Sequence, residues 1–287
     1  MHPTALSGVR VLDLSRILAG PSAAQLLGDL GADIVKVEKP GEGDDTRKWG
    51  PPFVEDADGQ PTSESAYYLC ANRNKRSIEI DIASAEGQHL IMRLLENADI
   101  LVENYKVGGL SSYGLAYDQI KERFPRLVYC SITGFGQTGP YATRAGYDFL
   151  IQGMGGIMSL TGEPEGQPIK VGVGIADIMT GMYATVGILA ALRHRDQTGK
   201  ANTLMYRCSI HKCLGSSMPV RVISTPKKIR SDLAMDTQTL CLIRSFQPLM
   251  IRSLSLQAMT ANLKNSVISP TLLPFPKTLN TQRTFRE

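Results

Sequence analysis

The chain has 287 residues, 43% of them hydrophobic, enough for one large α/β domain or two modest ones with a real core. Its longest apolar stretches are broken by Gly, Asp or Lys before the roughly 18 residues a membrane span needs, and Met1 to Gly8 lacks the basic and apolar run of a signal peptide. The five cysteines, Cys70, Cys130, Cys208, Cys213 and Cys241, have no framework spacing, so free thiols are expected instead of disulfides, and a net charge of +4 is too small to point to a polyanionic partner.

Val9-Arg10-Val11-Leu12-Asp13-Leu14 has a buried-strand pattern, and Ser15 to Gly20 forms a turn. Pro21 suits a first helical position and predicts a helix through Leu27 to Gly31. The next strand is Asp33 to Glu38, ended by Lys39-Pro40-Gly41. Strand, helix and strand in about 30 residues make a βαβ unit, hence parallel strands with a right-handed crossover. Gly41 to Ser65 reads as a polar surface loop. After it come a strand over Arg76 to Ile82, a helix over Ala85 to Asn97 and a strand over Asp99 to Glu103. Leu110 to Phe124 is helical in two pieces, Leu127 to Ile132 is a strand, and Tyr147 to Ser159 and Ile178 to Arg195 are helices. The sum is an α/β fold, a doubly wound, Rossmann-like parallel sheet over residues 1–200.

Beyond Lys200 neither period is sustained, and residues 201–287 are assigned no fold. This tail keeps only Gly215 of the 27 glycines. Residues 1–200 hold 24 acidic and 19 basic side chains, and the tail holds 3 and 12. So sharp a change is what a shifted reading frame or an alternative exon produces. The tail has few aromatics for stacking on bases, so no specific nucleic-acid partner is expected.

In an open parallel sheet the ligand sits beyond the carboxyl ends of the strands, which selects five segments. Arg16-Ile17-Leu18-Ala19-Gly20-Pro21 follows the first strand and opens a helix whose N–H groups suit a phosphate; it lacks the glycines of a dinucleotide fingerprint. Asn72-Arg73-Asn74-Lys75-Arg76-Ser77 reads as a polyphosphate contact or, equally, as a solvated charge run. Val102-Glu103-Asn104-Tyr105-Lys106 offers an amide and a ring for a base or a pantetheine arm, or simply a surface turn. The glycines of Thr133-Gly134-Phe135-Gly136, followed by Arg144-Ala145-Gly146-Tyr147-Asp148, imply a sharp turn or a close approach. Finally, Val171 to Ala176 reads as an apolar strand that Asp177 closes. Asp177 then stands at a helix N-cap, aimed into the crevice and kept ionised by the helix dipole. Cys208, His211 and Cys213 match no common zinc spacing, and no metal site is assigned.

The order of these motifs resembles the class III CoA-transferases, the group that includes formyl-CoA and carnitine CoA-transferases and α-methylacyl-CoA racemases. The likeness runs from about Leu6 to Lys200. It rests on Val11-Leu12-Asp13-Leu14 with Ala19-Gly20-Pro21, Gly31-Ala32-Asp33-Ile34-Val35-Lys36-Val37-Glu38, Asn74-Lys75-Arg76-Ser77, Val102-Glu103-Asn104, Thr133-Gly134-Phe135-Gly136, Gly146-Tyr147-Asp148 and Asp177 with Thr180-Gly181.

The resemblance implies that Asp177 is the nucleophile that carries the acyl group and then coenzyme A. It implies coenzyme A contacts at Arg16, Ile17, Ala19, Lys39, Lys75, Arg76, Asn104 and Tyr105, with Tyr147 and Asp148 behind the nucleophile. No permanently bound cofactor is implied; a coenzyme A thioester is a substrate. The racemase branch carries a His where Tyr147 stands, so acyl transfer is expected, between succinyl-CoA and glutarate or a similar dicarboxylate. A homodimer and a mitochondrial location follow from the family likeness alone. In the family a small second domain follows residue 200, and the altered tail leaves open an inactive form that binds CoA or a partner without exchanging it.

Overall fold

The computed structural model describes residues 4–162, 166–201 and 204–207. Its centre is a parallel sheet of β1 (Arg10–Asp13), β2 (Asp33–Glu38), β5 (Lys75–Glu79), β6 (Ile100–Glu103), β7 (Val128–Thr133) and β8 (Leu204–Arg207), in the spatial order β5-β2-β1-β6-β7-β8. The register pairs Val11 with Ile34 on one side and with Ile100 on the other. A short antiparallel hairpin, β3 (Phe53–Glu55) with β4 (Pro61–Ser65), stands apart from the sheet. The helices are α1 (Ala19–Asp29), α2 (Ala66–Asn72), α3 (Ala85–Leu95), α4 (Tyr117–Ile120), α5 (Asp148–Met154) and α6 (Ile175–Thr198).

The inner strands β1, β2, β6 and β7 are largely buried because both faces of the sheet are covered there, whereas the edge strand β5 is polar and mostly exposed. Val11, Ile34, Ile100, Val102, Val128 and Ile132 point into one core, shared with Ala23 and Leu27 of α1 and Ala184 and Ile188 of α6. Leu12, Val37, Leu101 and Tyr129 point into the other, under Ile91 and Leu95 of α3 and Ile120 of α4. Alternate residues of one strand thus serve opposite layers, as the period of two requires.

Two helices fix the site. Gly181 lets α6 lie on the start of α1: a Cβ there would meet the Ala19 carbonyl oxygen at 2.7 Å and Ser22 Cβ at 3.1 Å. Thr185 caps the contact, with its hydroxyl 3.4 Å from the Ala23 carbonyl oxygen and 3.0 Å from that of Gly181. By length and hydropathy (mean 1.6 over its most apolar stretch) α6 passes the test for a membrane-crossing helix. Its apolar character instead serves the core, and its buried Arg195 is paired with Asp99 at 2.7 Å.

Four expectations from the sequence are corrected. The sheet does not stop at residue 200, since Leu204–Arg207 pairs in parallel with β7. The polar stretch before Ser65 contains the hairpin, and α2 follows it, started by Ser65, whose hydroxyl accepts the Tyr68 N–H at 3.0 Å. Residues 171–174 form no strand: Val171 N–H donates to the Gln152 side chain at 2.8 Å, and the Val173 carbonyl accepts from Ile175 N–H and the same side chain. Finally, α6 starts three residues before Ile178 and its N-cap position is Gly174, which puts Asp177 inside the first turn. The cluster of Cys208, His211 and Cys213, and the free-thiol expectation for Cys208, Cys213 and Cys241, fall outside the described residues.

Candidate active site

Strand order reverses between β1 and β6, and at such a switch point the loops after the two strands diverge and leave a crevice. The loop after β1 is held under tension. Ile17 has φ +71°, a left-handed conformation that a β-branched residue adopts only when its surroundings enforce it. The enforcement is visible. Asn104, just past β6, accepts the Arg16 N–H at 2.8 Å and donates to the Arg16 carbonyl at 2.6 Å. The Ile17 N–H donates to Asp44 at 3.3 Å, and the Ser15 carbonyl accepts from the buried Lys36 ammonium at 2.8 Å.

Beneath this loop lies a buried ionic network. Lys75 is paired with Asp13 at 3.0 Å and Lys36 with Asp44 at 2.9 Å, all four side chains nearly inaccessible. Burial acts to raise the Asp13 carboxyl, but Lys75, Lys36 and Ser15 more than offset it and hold it below its usual value; burial pulls the Lys75 ammonium down. Glu38 closes the network with Arg47 at 2.7 Å, Tyr68 at 2.9 Å and Ser77 at 2.7 Å. Burial opposes its ionisation, yet these donors bring it to about 2.

Asp177 lines the crevice together with Arg16, Ile17, Ala19, Asn104, Tyr105, Lys106, Thr133, Gly134, Arg144 and Tyr147. Its residue is nine-tenths buried. The N-terminus of α6 is capped from another helix: Asp148 of α5 accepts the Ala176 N–H at 2.8 Å and the Asp177 N–H at 3.3 Å. The wall opposite is a close approach of two glycines, for a Cβ on Gly134 would lie 2.4 Å from Gly146 Cα. Arg16, Lys106 and Arg144 line the same cavity as Asp177; Arg16 is paired with Asp45 at 3.3 Å, and the Arg144 guanidinium is stacked 4.2 Å from the Tyr141 ring centre.

A second cavity adjoins the first. Both are lined by Arg16 and Tyr105, whose guanidinium and ring centre are 5.6 Å apart, and the second continues past Lys39, Glu38, Asp81, Ile82 and Tyr113. Of the residues singled out from the sequence, Arg16, Ile17, Ala19, Asn104, Tyr105, Tyr147 and Asp177 therefore meet at one cavity and Lys39 at its neighbour. Lys75 and Arg76 line neither. The Lys75 ammonium has its three donor positions taken by Asp13, the Pro21 carbonyl and Asn72 at 3.0, 2.9 and 2.9 Å, and Arg76 is an exposed side chain paired with Asp33 at 2.6 Å. The side-chain amide of Asn104 is occupied by the Arg16 backbone at both ends.

Two aromatic residues escaped the sequence reading. Burial, then the charge of Asp177 and more weakly of Cys70 and Asp148, pushes the Tyr67 phenol up to about 12. Trp49 packs edge-on against it, with ring centres 5.2 Å apart. Tyr67 belongs to the helix hidden in the supposed loop, and only an apolar pair followed by Cys-Ala-Asn gave any local sign of it.

The comparisons with known proteins agree with one another. The family described as CoA-transferase family III matches residues 6–214. The chain is 57% identical over 195 residues to the succinate–glutarate CoA-transferase of Agrobacterium fabrum, which is 68% of this chain and 48% of that protein. It is 50% identical over 195 residues to the succinyl-CoA:glutarate CoA-transferase of Homo sapiens, covering 68% of this chain and 43% of the relative. The chain thus spans about half the length of these relatives. Among solved structures, a CAIB/BAIF family protein from Brucella suis superposes with a TM-score of 0.71 at 48% identity, over 82% of this chain and 60% of the other.

Proposed function

The chain belongs to CoA-transferase family III, and from that premise we propose that it moves coenzyme A from succinyl-CoA to glutarate or a similar dicarboxylate through an aspartyl-CoA thioester at Asp177. The observation that carries the reading is the place of Asp177: a carboxylate in the first turn of a long helix, at the sheet's switch point, in a cavity that Arg16, Lys106 and Arg144 also line.

The chemistry needs a carboxylate that attacks, leaves and returns. An Asp177 oxygen adds to the thioester carbonyl of succinyl-CoA; collapse expels the CoA thiolate and leaves a mixed anhydride. The thiolate then attacks the Asp177 carbonyl, releasing succinate and forming the aspartyl-CoA thioester. The acceptor carboxylate attacks that carbonyl, expels the thiolate and forms a second anhydride. The thiolate finally takes the acceptor's acyl carbon and restores Asp177. Each exchange replaces one hard transfer between two acids with easier steps. Arg16, Lys106, Arg144 and the N–H groups of the glycine wall stabilise the oxyanions that form in turn.

In this reading the nucleotide end of CoA occupies the cavity at Lys39, and the pantetheine arm passes Arg16 and Tyr105 towards Asp177. Asn104 and Lys75 serve by holding the loop that CoA lies on. The reading includes a homodimer and a mitochondrial compartment, carried by the family likeness. A second reading, a form that binds CoA or a partner without exchange, is favoured by the exposed apolar residues Phe149, Leu150 and Val186 on α5 and α6.

Mass spectrometry after incubation with succinyl-CoA and borohydride, on wild type and Asp177→Ala, tests both. Reduction or a CoA adduct confined to Asp177 is the expected result. A folded wild type that binds CoA and acquires no adduct refutes exchange and leaves the second reading.

A further inference from the structure

Gln152 of α5 is among the few fully buried polar side chains, with no accessible surface. Every hydrogen-bonding position of its amide that a neighbour can reach is used. The NH2 group donates to Asp148 Oδ2 at 2.6 Å and to the Val173 carbonyl at 3.2 Å, and the oxygen accepts the Val171 N–H at 2.8 Å. A flipped amide would set its oxygen against a carboxylate and a carbonyl and its N–H against another N–H, so the orientation is unique. The other Asp148 oxygen holds the Ala176 and Asp177 N–H groups. A single amide thus ties together α5, the segment 171–173 and, through Asp148, the turn that bears Asp177.

We propose that Gln152 is a positioning residue for the Asp177 carboxylate: it fixes Asp148 against the first turn of α6 and so sets where the nucleophile stands in the crevice. The inference rests on the reading of Asp177 as the nucleophile. An apolar residue would fill the same space, but the 171–173 segment and the Asp148 carboxylate would then each lose a buried partner, which is costly where water does not reach.

The test exploits a property that packing alone does not have. In Gln152→Glu the new carboxyl faces Asp148. While protonated it donates to Asp148 and accepts from Val171, keeping the two shorter wild-type bonds and giving up the 3.2 Å bond to the Val173 carbonyl; once ionised it repels Asp148. The other titratable groups that face this cluster are Asp177 from α6, Tyr67 from α2, and Lys170, whose ammonium lies on the Val171 and Gly172 carbonyls at 3.2 and 3.1 Å. Gln152→Met supplies no donor at any pH.

Two readouts on the full 287-residue chain are compared at pH 5.5 and pH 8. One is amide-exchange protection across residues 170–178, and the other is the rate of Asp177 labelling by saturating succinyl-CoA with borohydride. Gln152→Met should lose about tenfold in both at either pH, the scale of one buried charge-assisted hydrogen bond, with CoA affinity changed less than about twofold. Gln152→Glu should match wild type at pH 5.5 and Gln152→Met at pH 8. Wild-type protection and labelling in Gln152→Met overturns the inference, and so does a Gln152→Glu that is already about tenfold below wild type at pH 5.5, even if Gln152→Met fails to fold. A wild type that never labels, with the protection pattern as expected, refutes the nucleophile and leaves the hold of Gln152 on the turn supported.

Discussion

Glu103 ends β6 directly beneath the crevice, and only 5% of its surface is accessible. Among the described residues no cation pairs with it; it accepts the Tyr105 N–H at 2.8 Å and a hydrogen bond from Ser131. Burial dominates these bonds and pushes its carboxyl up to about 7 from an ordinary 4.5. Between those two values the folded protein keeps a proton that the unfolded chain has released. Stability therefore falls as pH rises through that window and reaches its full penalty above the folded value. At about 1.4 kcal/mol per unit, that penalty is about 3 kcal/mol. Glu103→Gln retains the acceptor for Tyr105 and removes the titration. The stability difference, variant minus wild type, should grow in the variant's favour by about 3 kcal/mol from pH 4.5 to pH 8. Urea unfolding of both proteins at four pH values measures it, because every other titrating group is common to the two and cancels. A difference that does not change with pH, or one that turns in favour of wild type as pH rises, would refute the assignment of a buried carboxyl that resists ionisation.

The remaining predictions concern the scaffold beneath the crevice. Gly181→Ala drives a Cβ into the backbone of α1, so thermal melts should show a loss of about 1–3 kcal/mol despite alanine's better helix propensity; a gain in stability would show that the close approach is dispensable. Lys75→Met leaves Asp13 ionised and buried against one remaining lysine, and should cost about 3–5 kcal/mol in chemical unfolding, part of which Asp13→Asn added to it restores; losses that simply add would show that the two are not coupled. Glu38, held at about 2 by Arg47, Tyr68 and Ser77, gives stability that is present above an ordinary carboxyl's 4.5 and lost as pH falls towards 2. Glu38→Gln should therefore be the less stable protein at pH 7, with the gap to wild type closing over that interval in acid unfolding.

How much of this could be read in advance depended on how local the determinants are. The strand Asp33–Glu38 was legible to the residue because an apolar run ending at Lys-Pro-Gly leaves it no room to extend. The helix expected over Ala85 to Asn97 forms over Ala85–Leu95, its start as read; Ser84 caps it through the Gly87 N–H at 3.0 Å. Val171 to Gly174 carries the same apolar and glycine signs as a strand, yet among the described residues no neighbouring strand pairs with it; the Val171 N–H goes to a side chain nineteen residues earlier in the chain, a partner that no periodicity announces. The start of α6 was misread for the same reason. A carboxylate near a helix start is ordinarily its own cap, but here the first N–H groups of α6 are held by Asp148 on another helix, and Asp177 lines the cavity from within the first turn.

The site itself divides along the same line. The loop sequences named Arg16, Ile17, Asn104, Tyr105 and Asp177, because ligands of open parallel sheets gather where strands end. Chemistry by residue type left two places open. A lysine beside two arginines and two asparagines resembles a phosphate cradle, but Lys75 is drawn inward because Asp13 in the middle sheet strand would otherwise be a buried charge without a partner. An asparagine at a strand end resembles a ligand contact, but an amide can bind a backbone N–H and C=O at once, and Asn104 does so to keep Ile17 in a conformation its side chain disfavours. Within this region Asn104 and Lys75 hold the backbone while the Arg16 and Tyr105 side chains line the cavity. That division of labour is why the substitutions most damaging to the crevice are expected at Asp13, Lys75, Asn104 and Gln152, none of which has to touch a substrate.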